Sequence, residues 1–262
     1  MMGPAHSLSG AMAWLLAGAG AAWADHPMPW PVLLSGALIC AGAALAPDLD
    51  HKSATISRAF GPLSKALAGI VDKIAEFVYN TTRAKGERKR SSGHRTLTHT
   101  WIWALLCGAA FSAAAGLWGR WAVLFTLFVH MVLAVEGLFW RAARVSSDVL
   151  VWLLGATSAW LIADVLDEPG NGSTWLFHQE PYLWLGLPIA LGAIVHTLGD
   201  ALTISGCPVL WPLPIAGKRW YPVGTPQFMR FRAGAWVENK VLMPAFMVIG
   251  AAGGIGATLL TF

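Results

Sequence analysis

Seven long apolar stretches constrain the fold of this 262-residue chain more than any other feature. A helix needs roughly 20 apolar residues to cross the hydrocarbon core of a bilayer. The stretches lie near 7–24, 31–47, 100–118, 121–140, 148–164, 182–203 and 241–261. In lipid no water satisfies the backbone, so stretches of this length are expected as helices. The expectation is an all-α, polytopic membrane helical bundle of about seven spans, forming a single domain over 1–262. The second stretch is short and bounded by Pro31 and Pro47, which suits a tilted or partly submerged helix. Composition agrees, with 56% hydrophobic residues and only 12% charged. The 28 glycines let helices approach closely, and the 15 tryptophans favour the water–lipid boundary.

The first stretch has a second reading. Ala22-Trp23-Ala24 before Asp25 is like a signal-peptidase site, but nothing basic precedes the apolar run. A retained helix is therefore expected. The three cysteines, Cys40, Cys107 and Cys207, are far apart and form no C-x-x-C pair. Cys40 and Cys107 lie inside apolar runs and are expected as small core residues. Neither a disulfide framework nor a thiolate zinc site is indicated.

A polar insertion, 48–99, separates the second and third stretches. Within it Ile56, Phe60, Leu63, Leu67, Ile70, Val71, Ile74, Phe77 and Val78 follow helical spacing, with Arg58, Lys65, Asp72, Lys73 and Glu76 on other faces. Such an amphipathic helix either lies in the membrane interface or packs on the ends of the bundle. The run Arg83–Arg90 reads as a solvated loop that can also touch anionic headgroups. It lacks interleaved aromatics, which argues against a nucleic-acid partner. The loop 204–240 carries Trp211, Trp220, Tyr221 and Trp236, expected as interfacial anchors.

Alternating seven spans across the bilayer sorts the polar residues by side. His6, the cluster Asp48-Leu49-Asp50-His51, the cluster His94-Arg95-Thr96-Leu97-Thr98-His99 and Asp200 all fall on one face. Of the 18 Lys and Arg, only Arg120 falls on the other, together with Asp25, Asp164, Asp167, Glu168 and Glu180. The positive-inside rule then makes the clustered face, with the insertion 48–99 and the loop 204–240, cytoplasmic.

Charge is scarce in this chain, so metal-binding side chains packed beside membrane segments call for a function. His196 and Asp200 are four apart, on one face of a helix. Pro47 is expected to end the second helix, leaving Asp48 and Asp50 at alternate positions of an extended turn, pointing the same way. Carboxylates so close destabilise one another unless a cation or proton lies between them. His94 is expected to reach the site from a loop and His99 from the first turn of a helix. Eight ligand candidates result: His6, Asp48, Asp50, His51, His94, His99, His196 and Asp200. They suit two or more divalent ions, Zn2+ first and Mn2+ or Mg2+ as alternatives. Paired metals can activate a water and neutralise a phosphoryl oxygen. Arg95 is placed to clamp a phosphate, and Asp50 serves either as a ligand or as a general base. Bland readings hold elsewhere. His130 and Glu136 do not share a face, Glu136 is placed to pair with Arg141, and His26 and His178 are expected in solvent.

These motifs carry a resemblance. Pro47-Asp48-Leu49-Asp50-His51, Gly93-His94-Arg95-Thr96-Leu97-Thr98-His99, and His196-x-x-x-Asp200-Ala201-Leu202-Thr203 with Gly206 and Leu210-Trp211-Pro212 resemble the YdjM-like membrane-bound metal-dependent hydrolases. The resemblance covers roughly 1–215, and His6 fits its N-terminal histidine. That family is distantly similar to zinc-dependent phospholipase C and fungal single-strand nucleases, helical enzymes with a trinuclear zinc centre. The resemblance thus implies two or three ions. Those enzymes also offer a free N-terminal amine to a metal, and five residues precede His6 here, so the amine is not expected to take part.

The reading that results is an inner-membrane, cytoplasm-facing metal-dependent hydrolase. Its expected substrate is a membrane phospholipid or another lipid-linked phosphoester. The alternative is a divalent-cation transporter or metal sensor, and a third reading is an interaction protein with a structural metal.

Overall fold

A computed structural model describes residues 1–143, 145–177 and 181–260 of the chain. Helix α1 (Gly3–Trp23) is followed by α2 (Trp30–Ala43), and a 3-10 turn, Ala46–Asp50, extends α2. The insertion holds α3 (Ile56–Ala59) and α4 (Gly61–Thr82). A second 3-10 turn, Leu97–His99, leads into α5 (Trp101–Trp118). Then come α6 (Arg120–Leu138), α7 (Trp140–Ala143), α8 (Asp148–Asp167), α9 (Gly186–Ala201) and α10 (Met243–Leu259). The described residues contain no strand, only isolated bridges in the loop that follows α9. Local chemistry sets several helix starts. Thr100 caps α5 by accepting from Trp103 N–H, and Ser147 caps α8 by accepting from Leu150 N–H.

Among the described residues, six segments are long and apolar enough to cross a membrane: Trp30–Asp50, Trp101–Trp118, Arg120–Leu138, Asp148–Asp167, Leu183–Ala201 and Glu238–Leu259. Helix α1, the other expected span, is not among them, although its 21 residues reach about 31 Å. Its packing nevertheless runs the length of its neighbours. Gly10 meets Cys40 and Gly18 meets Leu33, so α1 and α2 are antiparallel. Met12 meets Gly250 and Leu15 meets Gly253, so α1 and α10 are parallel. That relation suits an odd number of crossings between them, as the seven-span count requires.

Several expectations are corrected. Pro47 does not end the second span. It sits inside the 3-10 turn that carries the segment on to Asp50, giving a candidate span of 21 residues. Asp48 and Asp50 therefore lie on a 3-10 turn and not in an extended one. At three residues per turn, neighbours two apart point different ways. The insertion helix breaks at Phe60–Gly61, where Gly61 takes φ 59°. Trp220 is buried rather than interfacial. It stacks on Trp211 with centroids 4.7 Å apart, and its indole N–H donates to Thr82. His178 and Glu180 lie outside the described residues.

Helix α4 packs one face on the bundle, as one of its two readings has it, and leaves the other face exposed. Ser64, Ala68, Asp72, Ala75 and Tyr79 are buried, while Leu63, Leu67, Ile70, Ile74 and Phe77 are exposed. Its small and polar face packs on the protein, and its apolar face points away. Asp72 fixes the insertion's return strand of chain by accepting from Ser92 hydroxyl and Gly93 N–H. Within the basic run, Glu87 is buried and accepts from the N–H groups of Ala84, Arg219 and Trp220. That carboxylate ties the run to the loop after α9.

Candidate metal centre

The site forms where α1, the end of α2, the turn before α5 and the end of α9 meet. Close helix contact makes this possible. A Cβ on Gly10 of α1 or on Gly192 of α9 would come within 2.5 Å of the Cys40 carbonyl oxygen on α2. Only glycine lets both helices approach α2 so near its C-terminus. One turn beyond Gly192, His196 faces inward. One turn before Gly10, His6 does the same. Their imidazoles stack with centroids 3.7 Å apart.

His196 Nδ1 donates to the Ala44 carbonyl oxygen at 2.7 Å, which leaves Nε2 with a bare lone pair. His99 Nδ1 lies 3.0 Å from the Thr98 hydroxyl and 3.5 Å from Asp50 Oδ2, so its Nε2 also points into the cluster. The two Nε2 atoms are 3.3 Å apart. Two lone pairs facing each other repel unless a proton or a cation joins them. The gap also matches a tetrahedral zinc edge, which is about 3.3–3.4 Å for two Zn–N bonds of about 2.0–2.1 Å. Asp48 Oδ1 flanks the pair at 3.6 Å from His99 and 3.7 Å from His196. Asp200 Oδ2 flanks it at 3.7 and 3.8 Å. His6 Nε2 is 3.3 Å from Asp200 Oδ1.

Asp50 occupies a different position from Asp48. It is buried and accepts from His94 Nδ1 at 2.8 Å, Arg95 N–H at 3.1 Å and the Thr98 hydroxyl at 2.6 Å. One carboxylate thus orients the whole 94–99 turn. Arg95 has φ 57°, an unfavourable backbone for a side chain of this size. Its N–H bond to Asp50 and its guanidinium, 2.8 Å from Asp200 Oδ2, hold it there. The Met1 amino group also donates to Asp200. Met1 comes so close because α1 begins only one turn from His6. His51 is brought beside His94, with ring centroids 4.5 Å apart, but it is exposed and bonded to Ser53.

The donors form overlapping groups whose ligand atoms lie within 4.8 Å of one another. These are His6, His196 and Asp200; Asp48, His99 and His196; Asp48, Asp50 and His94; and His99, Asp200 and Cys207. Two observations fit them to divalent metal. Both ring nitrogens of His6 are buried without a hydrogen-bond partner, a costly state for an imidazole unless a cation takes a lone pair. The chain also supplies cations of its own to the carboxylates. Burial alone would lower the His99 pKa, but Asp50, then Asp48 and Asp200, outweigh it and raise it to about 10. Metal would replace that proton.

Cys207 went unremarked as a ligand in the sequence. It is fully buried, with Sγ 3.9 Å from Asp200 Oδ2. Burial, and Asp200 after it, push its thiol well above the ordinary range. Spacing hid it, because Cys207 lies beyond the helix that carries His196 and Asp200. Elsewhere the bland readings stand for His130 and His26 but not for the pairing of Glu136 with Arg141. His130 Nδ1 donates to the Thr126 carbonyl oxygen and its ring packs on Phe111. His26 is exposed. Among the described residues Glu136 forms no ion pair with Arg141, whose guanidinium lies over Trp140.

A cavity of about 440 Å³ opens from the cluster. Asp48, His94 and Arg95 line it, together with Arg58, Glu136 and Trp140. On the opposite face of the bundle Arg120 pairs with Asp164 and Asp167, as their shared side in the span count implies.

The profile of one protein family, described as YdjM inner membrane protein, matches residues 1–259. No curated protein and no solved structure matches the chain.

Proposed function

Because the chain belongs to the YdjM inner membrane protein family, we propose that this multi-pass membrane protein is a metal-dependent hydrolase of phosphoesters, acting on a phospholipid or lipid-linked phosphate. The observation that carries the reading is the convergence of two imidazole nitrogens, His99 Nε2 and His196 Nε2, 3.3 Å apart and flanked by Asp48 and Asp200. Imidazole and carboxylate donors suit Zn2+, and Mn2+ remains an alternative.

When bound, such ions polarise a phosphoryl oxygen and make water a stronger acid. His6, Asp48, His99, His196 and Asp200 would hold them. The chain's own residues do the rest. Asp50 orients His94, His99 and the Arg95 backbone through its hydrogen bonds. Arg95 lines the cavity, and its planar guanidinium suits two phosphate oxygens. His94 lines the same wall and is part-exposed, so it can exchange a proton with a leaving oxygen. The cavity volume of about 440 Å³ suits a headgroup rather than a whole lipid. The exposed apolar face of α4 keeps the acyl chains near by in the bilayer. The positive-inside distribution of Lys and Arg orients the site to the cytoplasm.

A transport reading draws little from the same atoms. The mid-span histidine, His130, is spent on the Thr126 carbonyl oxygen and packs on Phe111.

The reading is tested with purified, zinc-loaded protein against a panel of phospholipids and lipid phosphates. Turnover is expected, with a loss of at least about 100-fold in Asp48→Ala and His196→Ala. Turnover unchanged by either substitution would sink the assignment. Orientation is tested separately in intact cells. A cysteine at Lys89 should resist a membrane-impermeant maleimide that labels one at Asn171, and the reverse pattern would invert the topology.

A further inference from the structure

We infer that Cys207 is a thiolate ligand of the metal held by His99 and Asp200, which makes that position selective for a soft divalent ion such as zinc. The inference rests on the metal-centre reading above and adds to it a donor that the chain's spacing concealed. Three observations lead to it.

The first is distance. Cys207 Sγ, His99 Nε2 and Asp200 Oδ2 belong to one group of mutually close donors. The sulfur is 3.9 Å from Asp200 Oδ2, and that oxygen is 3.7 Å from His99 Nε2. A tetrahedral zinc with a Zn–S bond of about 2.3 Å and a Zn–O bond of about 2.1 Å has an S–O edge of about 3.6 Å. The observed S–O separation thus exceeds that edge by only a few tenths of an ångström.

The second is that the sulfur is held in place. Cys207 forms a two-way backbone bridge with Val223, its N–H donating to Val223 at 3.0 Å and its carbonyl accepting at 2.8 Å. The side chain is fully buried, so solvent does not compete for it. The third is His6. It is fully buried, both its ring nitrogens lack a hydrogen-bond partner, and its Nε2 faces the other oxygen of the same Asp200 at 3.3 Å. Asp200 therefore has candidate metal donors at both oxygens, His6 at Oδ1 beside Met1 N, and His99 with Cys207 at Oδ2 beside the Arg95 guanidinium.

The consequence is selectivity. Thiolate is a soft donor that favours zinc, while oxygen donors alone suit magnesium and manganese. Zinc binding at this position releases the thiol proton, so binding and deprotonation are linked.

The test uses the full-length, metal-free protein in detergent, titrated with Co2+ and followed by absorption spectroscopy. The expected result is visible d–d bands together with a near-ultraviolet thiolate-to-cobalt charge-transfer band. Cys207→Ser should abolish the charge-transfer band and keep d–d bands, whereas Cys40→Ser and Cys107→Ser should leave both. Zinc affinity in Cys207→Ser should fall by more than the roughly 10–100-fold that loss of an outer-shell partner costs, with manganese affinity little changed. Cobalt bound with d–d bands but no charge-transfer band in the unaltered protein overturns the cysteine ligand and leaves the metal centre standing. Survival of the charge-transfer band in Cys207→Ser likewise overturns the ligand and spares the centre. An absence of any cobalt spectrum overturns both. Because the first of these readings needs no variant, a folding defect in Cys207→Ser does not blunt the test.

Discussion

Asp50 and Asp48 are two residues apart and do different work. Asp48 faces the bare nitrogens of His99 and His196, while Asp50 receives His94, Arg95 N–H and Thr98. Asp50 is thus spent on orienting ligands, and its removal should act through them. Asp50→Ala is expected to weaken zinc binding by roughly 10–100-fold. It should also lower stability, since each buried donor left unsatisfied costs about 1–3 kcal/mol. Competition with a coloured zinc chelator measures the first effect. Unchanged affinity would show that Asp50 does not position the ligands. The identity of these residues was legible in the sequence, because acids and histidines stand out in so apolar a chain. Their division of labour was not. It depends on the 3-10 turn at Ala46–Asp50, and an extended turn would have aimed both carboxylates alike. Cys207 was illegible for a related reason, since only the backbone bridge to Val223 turns it toward Asp200.

At the scale of elements, α4 carries the clearest mismatch with a water-soluble fold. Its large apolar side chains are exposed, Leu63 at 73% and Phe77 at 68%, while Asp72 is buried. Exposing five such groups to water would be unfavourable by about 1.5–3 kcal/mol each relative to burial. A lipid interface removes that cost, and the helix lies beside the turn that bears His94. Replacing Leu67 and Ile74 with Glu should therefore reduce turnover of substrate in vesicles several-fold. Zinc content and turnover of a short-chain soluble ester should stay as they were. Equal losses on both substrates would mean that the helix serves the site's structure rather than its access to lipid. Spacing alone revealed the amphipathic helix, yet it ran α3 and α4 together. Helical periodicity passes unbroken through Phe60, whereas the break is made by the backbone of Gly61. Likewise nothing in composition separates Trp220, packed against Trp211 and Tyr79, from the exposed Trp236.

At the scale of the molecule, the bundle places four remote pieces of chain at one end. Hydropathy located the crossings well because lipid admits few alternatives to a helix. The weak point was α1, whose Gly, Ala and Ser content lowers its apolarity while its small side chains serve close packing. Counting faces then foretold the convergence of His6, Asp48, His99, His196 and Asp200. It did not foretell the contact distances, which follow from two glycines against one carbonyl of α2. The architecture makes sense as a clamp on metal ions, since it gathers imidazole and carboxylate donors from four remote pieces of chain within 4.8 Å of one another in overlapping groups. Zinc at about 100 times its dissociation constant should add roughly 2.7 kcal/mol to stability. The most direct measurement is the elemental metal content of the chain purified under zinc-replete conditions and freed of loose ions. The account predicts stoichiometric zinc in the unaltered protein and its loss in the His99→Ala, His196→Ala double variant. Metal-free protein, or zinc retained equally by the double variant, would contradict it.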